Sequence, residues 1–117
     1  MAPDSLASLR ERLQLFARER DWEQFHTPKN LCCALSVEAA ELLEHFQWAA
    51  ADAAQPRAES KQEQLADEIA DVLIYVVRLA DVLGIDPIEA ADRKLAKNAL
   101  KYPVALAKGN ATKYTEF

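Results

Sequence analysis

The segment SKQEQLADEIADVLIYVVRLADVLG, Ser60 to Gly84, decides the fold. Leu65, Ile69, Val72, Leu73, Val76, Leu79 and Leu83 recur at helical spacing and form one broad apolar face, while Ile74 and Val77 add a second. A helix that is apolar on more than one side is buried on more than one side. One small bundle struggles to cover both faces, so a homo-oligomer is expected. Ser60-x-x-Glu63 reads as a capping box ahead of the apolar run, and Gly84 reads as its C-terminal stop. Arg78 and Asp81 interrupt the run, and Asp67, Glu68 and Asp71 precede it, so it cannot span a membrane.

Outward from this segment, helix signals continue and strand alternation is absent. Leu6, Leu9, Leu13 and Phe16 make an apolar stripe that predicts a first helix from about Asp4 to Arg20. DWEQFHTPKN breaks the pattern, and Thr27-Pro28 reads as an N-cap followed by proline at the first helical position. A second helix would run from Pro28 to about Phe46. Ala49 to Arg57, Ala-rich and holding Gln55-Pro56, reads as a loop. Asp86-Pro87-Ile88-Glu89 opens a fourth helix that Tyr102-Pro103 ends. The tail, about residues 104–117, is expected to pack loosely or against a neighbouring subunit. The reading is a single all-α domain over 1–117, a four-helix bundle-type subunit assembling by helix packing.

Composition narrows the function. The 117 residues are 50% hydrophobic and 28% charged, which suits one soluble domain. Only 2 glycines occur, and no Gly-rich phosphate loop is present. A formal net charge of −5 disfavours binding to nucleic acid polymers or to an anionic membrane. Cys32 and Cys33 are adjacent and point about 100° apart on a helix, so they are expected to be small buried residues of a reducing compartment rather than a disulfide. No signal peptide is legible at the N-terminus, and a cytoplasmic location is expected.

The chemistry-bearing residues are acidic. Glu38 and Glu41 share one helix face at i and i+3, and Glu68 and Asp71 repeat that spacing. Antiparallel neighbours could gather the four carboxylates at one spot, where they would not all stay ionised without a cation. Oxygen-only ligation points to magnesium (Mg2+) or manganese (Mn2+). Ordinary solvent-facing carboxylates are the alternative, weakened by the apolar setting of both pairs. A di-iron bundle would need two Glu-x-x-His motifs. The sequence holds only Glu23-x-x-His26, outside a helix.

Aromatic and basic groups surround these acids. Tyr75 and Arg78 follow Asp71 at i+4 and i+7. Trp22, Phe25 and His26 cluster before the second helix, and Trp48 ends it. Such rings suit stacking on a nucleobase, or alternatively the closing of a bundle end. Lys94 and Asn98 share a face of the fourth helix, with Lys101 and Tyr102 just beyond. They could hold phosphates or simply be solvated.

E38-A-A-E41 followed by E68-I-A-D71 resembles the E-x-x-E…E-x-x-D site of the MazG-like all-α nucleoside triphosphate pyrophosphohydrolases. RERDWEQFHTPKNL (Arg18–Leu31), FQW (Phe46–Trp48), LADEIADVLIY (Leu65–Tyr75), KYPV (Lys101–Val104) and the KYTEF tail (Lys113–Phe117) are similar to the dCTP pyrophosphatase branch. The resemblance runs from about Leu6 to Phe117. It implies hydrolysis of a deoxynucleoside triphosphate between the α and β phosphates, giving monophosphate and pyrophosphate. Glu38, Glu41, Glu68 and Asp71 would ligate Mg2+. Trp22, Glu23, Gln24, Phe25, His26, Trp48 and Tyr75 would line the nucleotide pocket. It further implies dimers, or tetramers built as dimers of dimers. Val37 stands where many superfamily members have a further glutamate, and Leu13 where the branch has a substrate-holding histidine in helix 1.

In the mechanism this implies, positioning and charge neutralisation dominate. Glu38 or Glu41 is the candidate base, and Lys94, Asn98 and Arg78 are candidates to hold pyrophosphate. A broader pyrophosphohydrolase acting on dUTP or modified nucleotides, and a non-enzymatic helical interaction protein, are the competing readings.

Overall fold

In a computed structural model that describes residues 2–49 and 59–117, the chain is helical, with no strand among the described residues. It divides into two compact units, Met1–Gly84 and Ile85–Phe117. The all-α class expected from the sequence holds for both.

The first unit opens with α1 (Leu6–Glu19). The Ser5 and Ser8 side chains each accept a hydrogen bond from the other's backbone N–H, at 3.1 Å in both directions. This capping box starts the helix one residue after Ser5, slightly later than the sequence predicts. Asp21 ends the segment in the left-handed region at φ 54°, a conformation that aspartate tolerates better than most residues. The chain then makes a 3-10 turn at Glu23–Phe25. At the start of α2 (Pro28–Glu44), the Thr27 hydroxyl accepts from the Asn30 N–H at 3.2 Å and Pro28 occupies the first position. The helix stops at Glu44, and His45 to Ala49 continue as tight turns.

Helix α3 (Glu59–Val82) already contains Ser60, so Ser60 is a helical residue rather than the expected cap. Of the loop expected over Ala49–Arg57, everything beyond Ala49 lies outside the described residues. Gly84 takes φ 69° after the last turn, the left-handed stop that only glycine adopts without cost. α3 packs against both α2 and α1. His26 reaches Arg78, Glu38 gathers with Glu68, and His45 reaches Lys61. Rising numbers on α2 meet falling numbers on α3, so the two helices run antiparallel.

Among the described residues the buried apolar core is small: Ala17, Leu31, Leu65, Val77 and Ala80. Leu31 is its largest fully buried side chain, and truncating it to alanine should cost about 2–5 kcal/mol. The face of α3 turned inward differs from the broad one expected. Leu65, Val77, Arg78 and Ala80 are buried, while Ile69, Leu73, Val76 and Leu83 are exposed. Cys32 and Cys33 are free and exposed, a correction to their expected burial. They follow Leu31, which takes the inward direction of that turn.

In the second unit, the Asp86 carboxylate accepts from the N–H groups of Ile88 and Glu89 at 3.0 and 3.2 Å, capping α4 (Pro87–Lys101) with Pro87 at its first position. The tail, expected to pack loosely or against a neighbouring subunit, holds local structure of its own. It forms the short helix α5 (Val104–Ala107) and a 3-10 turn at Tyr114–Glu116. The rings of Tyr114 and Phe117 meet Tyr102 edge-on at 5.7 and 5.8 Å between centroids. No helix among the described residues is long and apolar enough to cross a membrane.

Candidate active site

The cap at Thr27 and Pro28 sets the phase of α2, so Glu38 and Glu41 emerge on one face. The antiparallel packing of α3 brings Glu68 to the same place. One carboxylate oxygen each from Glu38, Glu41 and Glu68 lie within 4.8 Å of one another. At an effective dielectric near 20, two full charges at that distance repel by about 3 kcal/mol before solvent screening. Three such pairs would rival the whole stability of a small domain, about 5–15 kcal/mol. Full ionisation of all three is therefore disfavoured where no cation is bound.

Glu38 carries the consequence. Burial holds its carboxyl above the usual carboxylate range, and a hydrogen bond with Glu41 adds to the effect. The charges of Glu41, Asp71 and Glu68 push it further in the same direction. Glu68 turns Oε1 toward His45 Nε2 at 3.7 Å, and His45 Nδ1 is in contact with the Lys61 ammonium. Glu38 Oε2 and Glu68 Oε2 are both buried without a hydrogen-bond partner. Two orphaned buried carboxylate oxygens within an all-oxygen donor set fit a hard divalent cation.

A pocket of about 300 Å³ opens beside these acids. Asp71, Ile74, Tyr75 and Arg78 line it from one face of α3, at i, i+3, i+4 and i+7. The axial run from Asp71 to Arg78 is about 10 Å, so the pocket is acidic at one end and basic at the other. Leu13, Phe16 and Ala17 of α1 supply an apolar wall, and Trp22 and His26 complete it. Trp22 meets Phe16 edge-on at 5.8 Å and His26 at 6.4 Å. Burial and the adjacent Arg78 guanidinium hold His26 below its ordinary value, while Glu23 opposes them weakly. Arg78 is only 9% exposed. It donates from Nε to His26 Nδ1 at 2.9 Å and from Nη1 to Asp81 Oδ2 at 3.2 Å.

Among the residues singled out in the sequence, the structure brings Trp22, His26, Glu38, Asp71 and Tyr75 to this pocket, with Glu41 and Glu68 in the adjoining carboxylate cluster. Others are not among the residues that line it. Glu23 pairs with Arg18 at 3.4 Å, and Gln24 donates to Asp21. Phe25 is exposed, and Trp48 is 91% exposed. Lys94, Asn98 and Tyr102 belong to the second unit. Phe16 and Ile74 join the pocket although no chemical signal marked them, only their helical register beside Leu13 and Tyr75.

An all-helical chain with converging glutamates from two antiparallel helices defines an acidic, cation-ready site beside an aromatic pocket. The MazG-like family model matches residues 33–117, and the chain belongs to that family. It is 44% identical over 114 residues to dCTP pyrophosphatase 1 of Bos taurus, covering 96% of this chain and 68% of that protein. It is 43% identical to dCTP pyrophosphatase 1 of Homo sapiens, covering 96% and 67%. A pyrophosphatase crystal structure from Archaeoglobus fulgidus superposes with a TM-score of 0.69 at 40% identity, covering 88% of this chain and 96% of that one.

Proposed function

We propose that this chain is a nucleoside triphosphate pyrophosphohydrolase that cleaves dCTP, or a closely related pyrimidine deoxynucleotide, to the monophosphate and pyrophosphate. The observation that carries this reading is the set of three carboxylates within 4.8 Å of one another, with orphaned buried oxygens on Glu38 and Glu68, beside an aromatic pocket. The similarity to dCTP pyrophosphatases over 96% of the chain supports the same substrate class.

Glu38, Glu41, Glu68 and Asp71 would hold Mg2+ or Mn2+. When bound there, the ion supplies the positive charge that a chain of net charge −5 needs to accept a triphosphate. Trp22 and Tyr75 offer ring surfaces to the base. Glu38, whose carboxyl is held above the usual carboxylate range by burial and its acidic neighbours, is the proposed base that takes a proton from the attacking water. Water oxygen bonds to the α-phosphorus, the bond from that phosphorus to the bridging oxygen breaks, and pyrophosphate leaves with the electron pair. Glu23, Gln24, Phe25 and Trp48 are proposed as further base contacts, and Lys94, Asn98 and Tyr102 as phosphate contacts.

We further assign residues 1–117 to one functional domain of four-helix bundle type, acting in the cytoplasm as a dimer or tetramer. The stripe of Ile69, Leu73 and Val76 left exposed on α3 supports the oligomer. Pyrophosphate release across ribo- and deoxynucleoside triphosphates tests the activity. Release that is fastest from dCTP supports the reading. Equal rates on purine nucleotides favour a broader housecleaning enzyme, and no release from any nucleotide favours an interaction protein.

A further inference from the structure

Arg78 is the only charged side chain among the buried polar residues described, yet it makes no contact with the carboxylate cluster in its hydrogen bonding. Its Nη1 donates to Asp81 Oδ2, and the same oxygen accepts from Gln14 Nε2 of α1 at 2.9 Å. Asp81 and Gln14 thus brace the guanidinium from two helices. Its Nε–H is directed at His26 Nδ1, 52 residues away in sequence, at 2.9 Å. A guanidinium only donates, so Nδ1 must present its lone pair. A neutral imidazole with a lone pair on Nδ1 carries its proton on Nε2. His26 is then a fixed hydrogen-bond donor on the wall of the pocket.

We propose that Arg78 is a positioning residue that locks His26 as the Nε2–H tautomer, so that the pocket reads a carbonyl oxygen of a pyrimidine base. This rests on the nucleotide reading above and deepens it to a named contact. Protonation of His26 would place a second N–H against the Arg78 Nε–H, so charging the ring breaks the lock. Burial and Arg78 oppose that charge, and Glu23 is the acidic group that favours it. Glu38 and Asp71 line the same pocket, and Trp22 lies against the ring. In this structure the Arg78 guanidinium donates to His26 and Asp81, which is the arrangement the lock requires.

The test is a double-mutant cycle joined to nitrogen-15 NMR of the histidine ring. In the unmodified protein, His26 should show the Nε2–H tautomer at neutral pH. Arg78→Met should allow a tautomer mixture, raise KM for dCTP about tenfold for the loss of one oriented hydrogen bond, and lower kcat less than threefold. Glutamine presents its amide N–H near the Nε2 position and has no tautomer to lock. In a His26→Gln background, Arg78→Met should therefore add less than twofold to KM. An Nδ1–H tautomer in the unmodified protein, or an equal KM effect in both backgrounds, would overturn the proposal. If Arg78→Met does not fold, the ring spectrum of the unmodified protein and the KM of His26→Gln against His26→Asn decide it. Asparagine, which mimics the Nδ1 position instead, should bind worse, and equal KM values would count against the lock. No pyrophosphate release from any nucleotide would instead remove the underlying reading. Release with the wrong tautomer removes this inference alone.

Discussion

Replacing Glu38 with glutamine isolates the electrostatic design of the site. Glu38 is the carboxyl that burial and three acidic neighbours push upward. With no cation present, its ionisation should cost stability. The native state binds its proton more tightly than the unfolded chain does. Stability therefore falls as pH rises from the unfolded value near 4.5 through the raised native value. Glutamine removes the charge and keeps the volume. Each pairwise repulsion at these distances is about 3 kcal/mol before screening. Solvent screening reduces what is felt, so Glu38→Gln should stabilise the metal-free protein by about 1–2 kcal/mol at mildly alkaline pH. For a chain of this length that is a rise in Tm of roughly 4–8 °C. Magnesium at 100 times its Kd should stabilise the unmodified protein by about 2.7 kcal/mol, and most of that shift should vanish in the variant. Pyrophosphate release should fall at least about a hundredfold, because the proposed metal ligand and proposed base are lost together. Thermal denaturation with EDTA and with magnesium, over a pH series, measures every part. A variant less stable than the parent without metal, yet equally stabilised by magnesium, would refute the argument.

Other outcomes follow from the same geometry. Trp22→Ala should raise KM for dCTP about tenfold, the value of one stacked base, with little change in Tm because the ring is half exposed. His26 has a lowered native value, so its stabilising effect is present above pH 6.5 and is lost as pH falls through the native value. KM for dCTP should rise over the same range, and the rise should disappear in His26→Gln. Leu73→Lys, which places a charge in the exposed apolar stripe of α3, should shift the protein toward monomers in light scattering. An unchanged mass would remove that stripe from the interface.

Local signals in the sequence survived folding because they are satisfied locally. Thr27-Pro28 and Asp86-Pro87 cap their helices as expected, since a cap needs only the next three backbone N–H groups. Gly84 stops α3 for an equally local reason, its positive φ. The i, i+3 carboxylates were legible because one helix turn fixes their direction. What spacing could not supply was the direction of each face. α3 turns Arg78 inward and Ile69 outward, against its apolar pattern, because α1 and α2 cover only one side of it. Cys32 and Cys33 were misplaced for the same reason: Leu31 alone takes the inward direction of that turn. The tail's structure depends on Tyr102 meeting Tyr114 and Phe117, contacts no local pattern announces. The Arg78–His26 bond spans 52 residues and had no sequence signature either.

The central claim is hydrolysis at the α-phosphorus of a pyrimidine deoxynucleotide. Turnover of dCTP in oxygen-18 water with magnesium, followed by mass analysis of the products, tests it most directly. The account predicts dCMP carrying one labelled oxygen, with unlabelled pyrophosphate in equal amount. Labelled pyrophosphate, or release of single phosphates with dCDP, would contradict it.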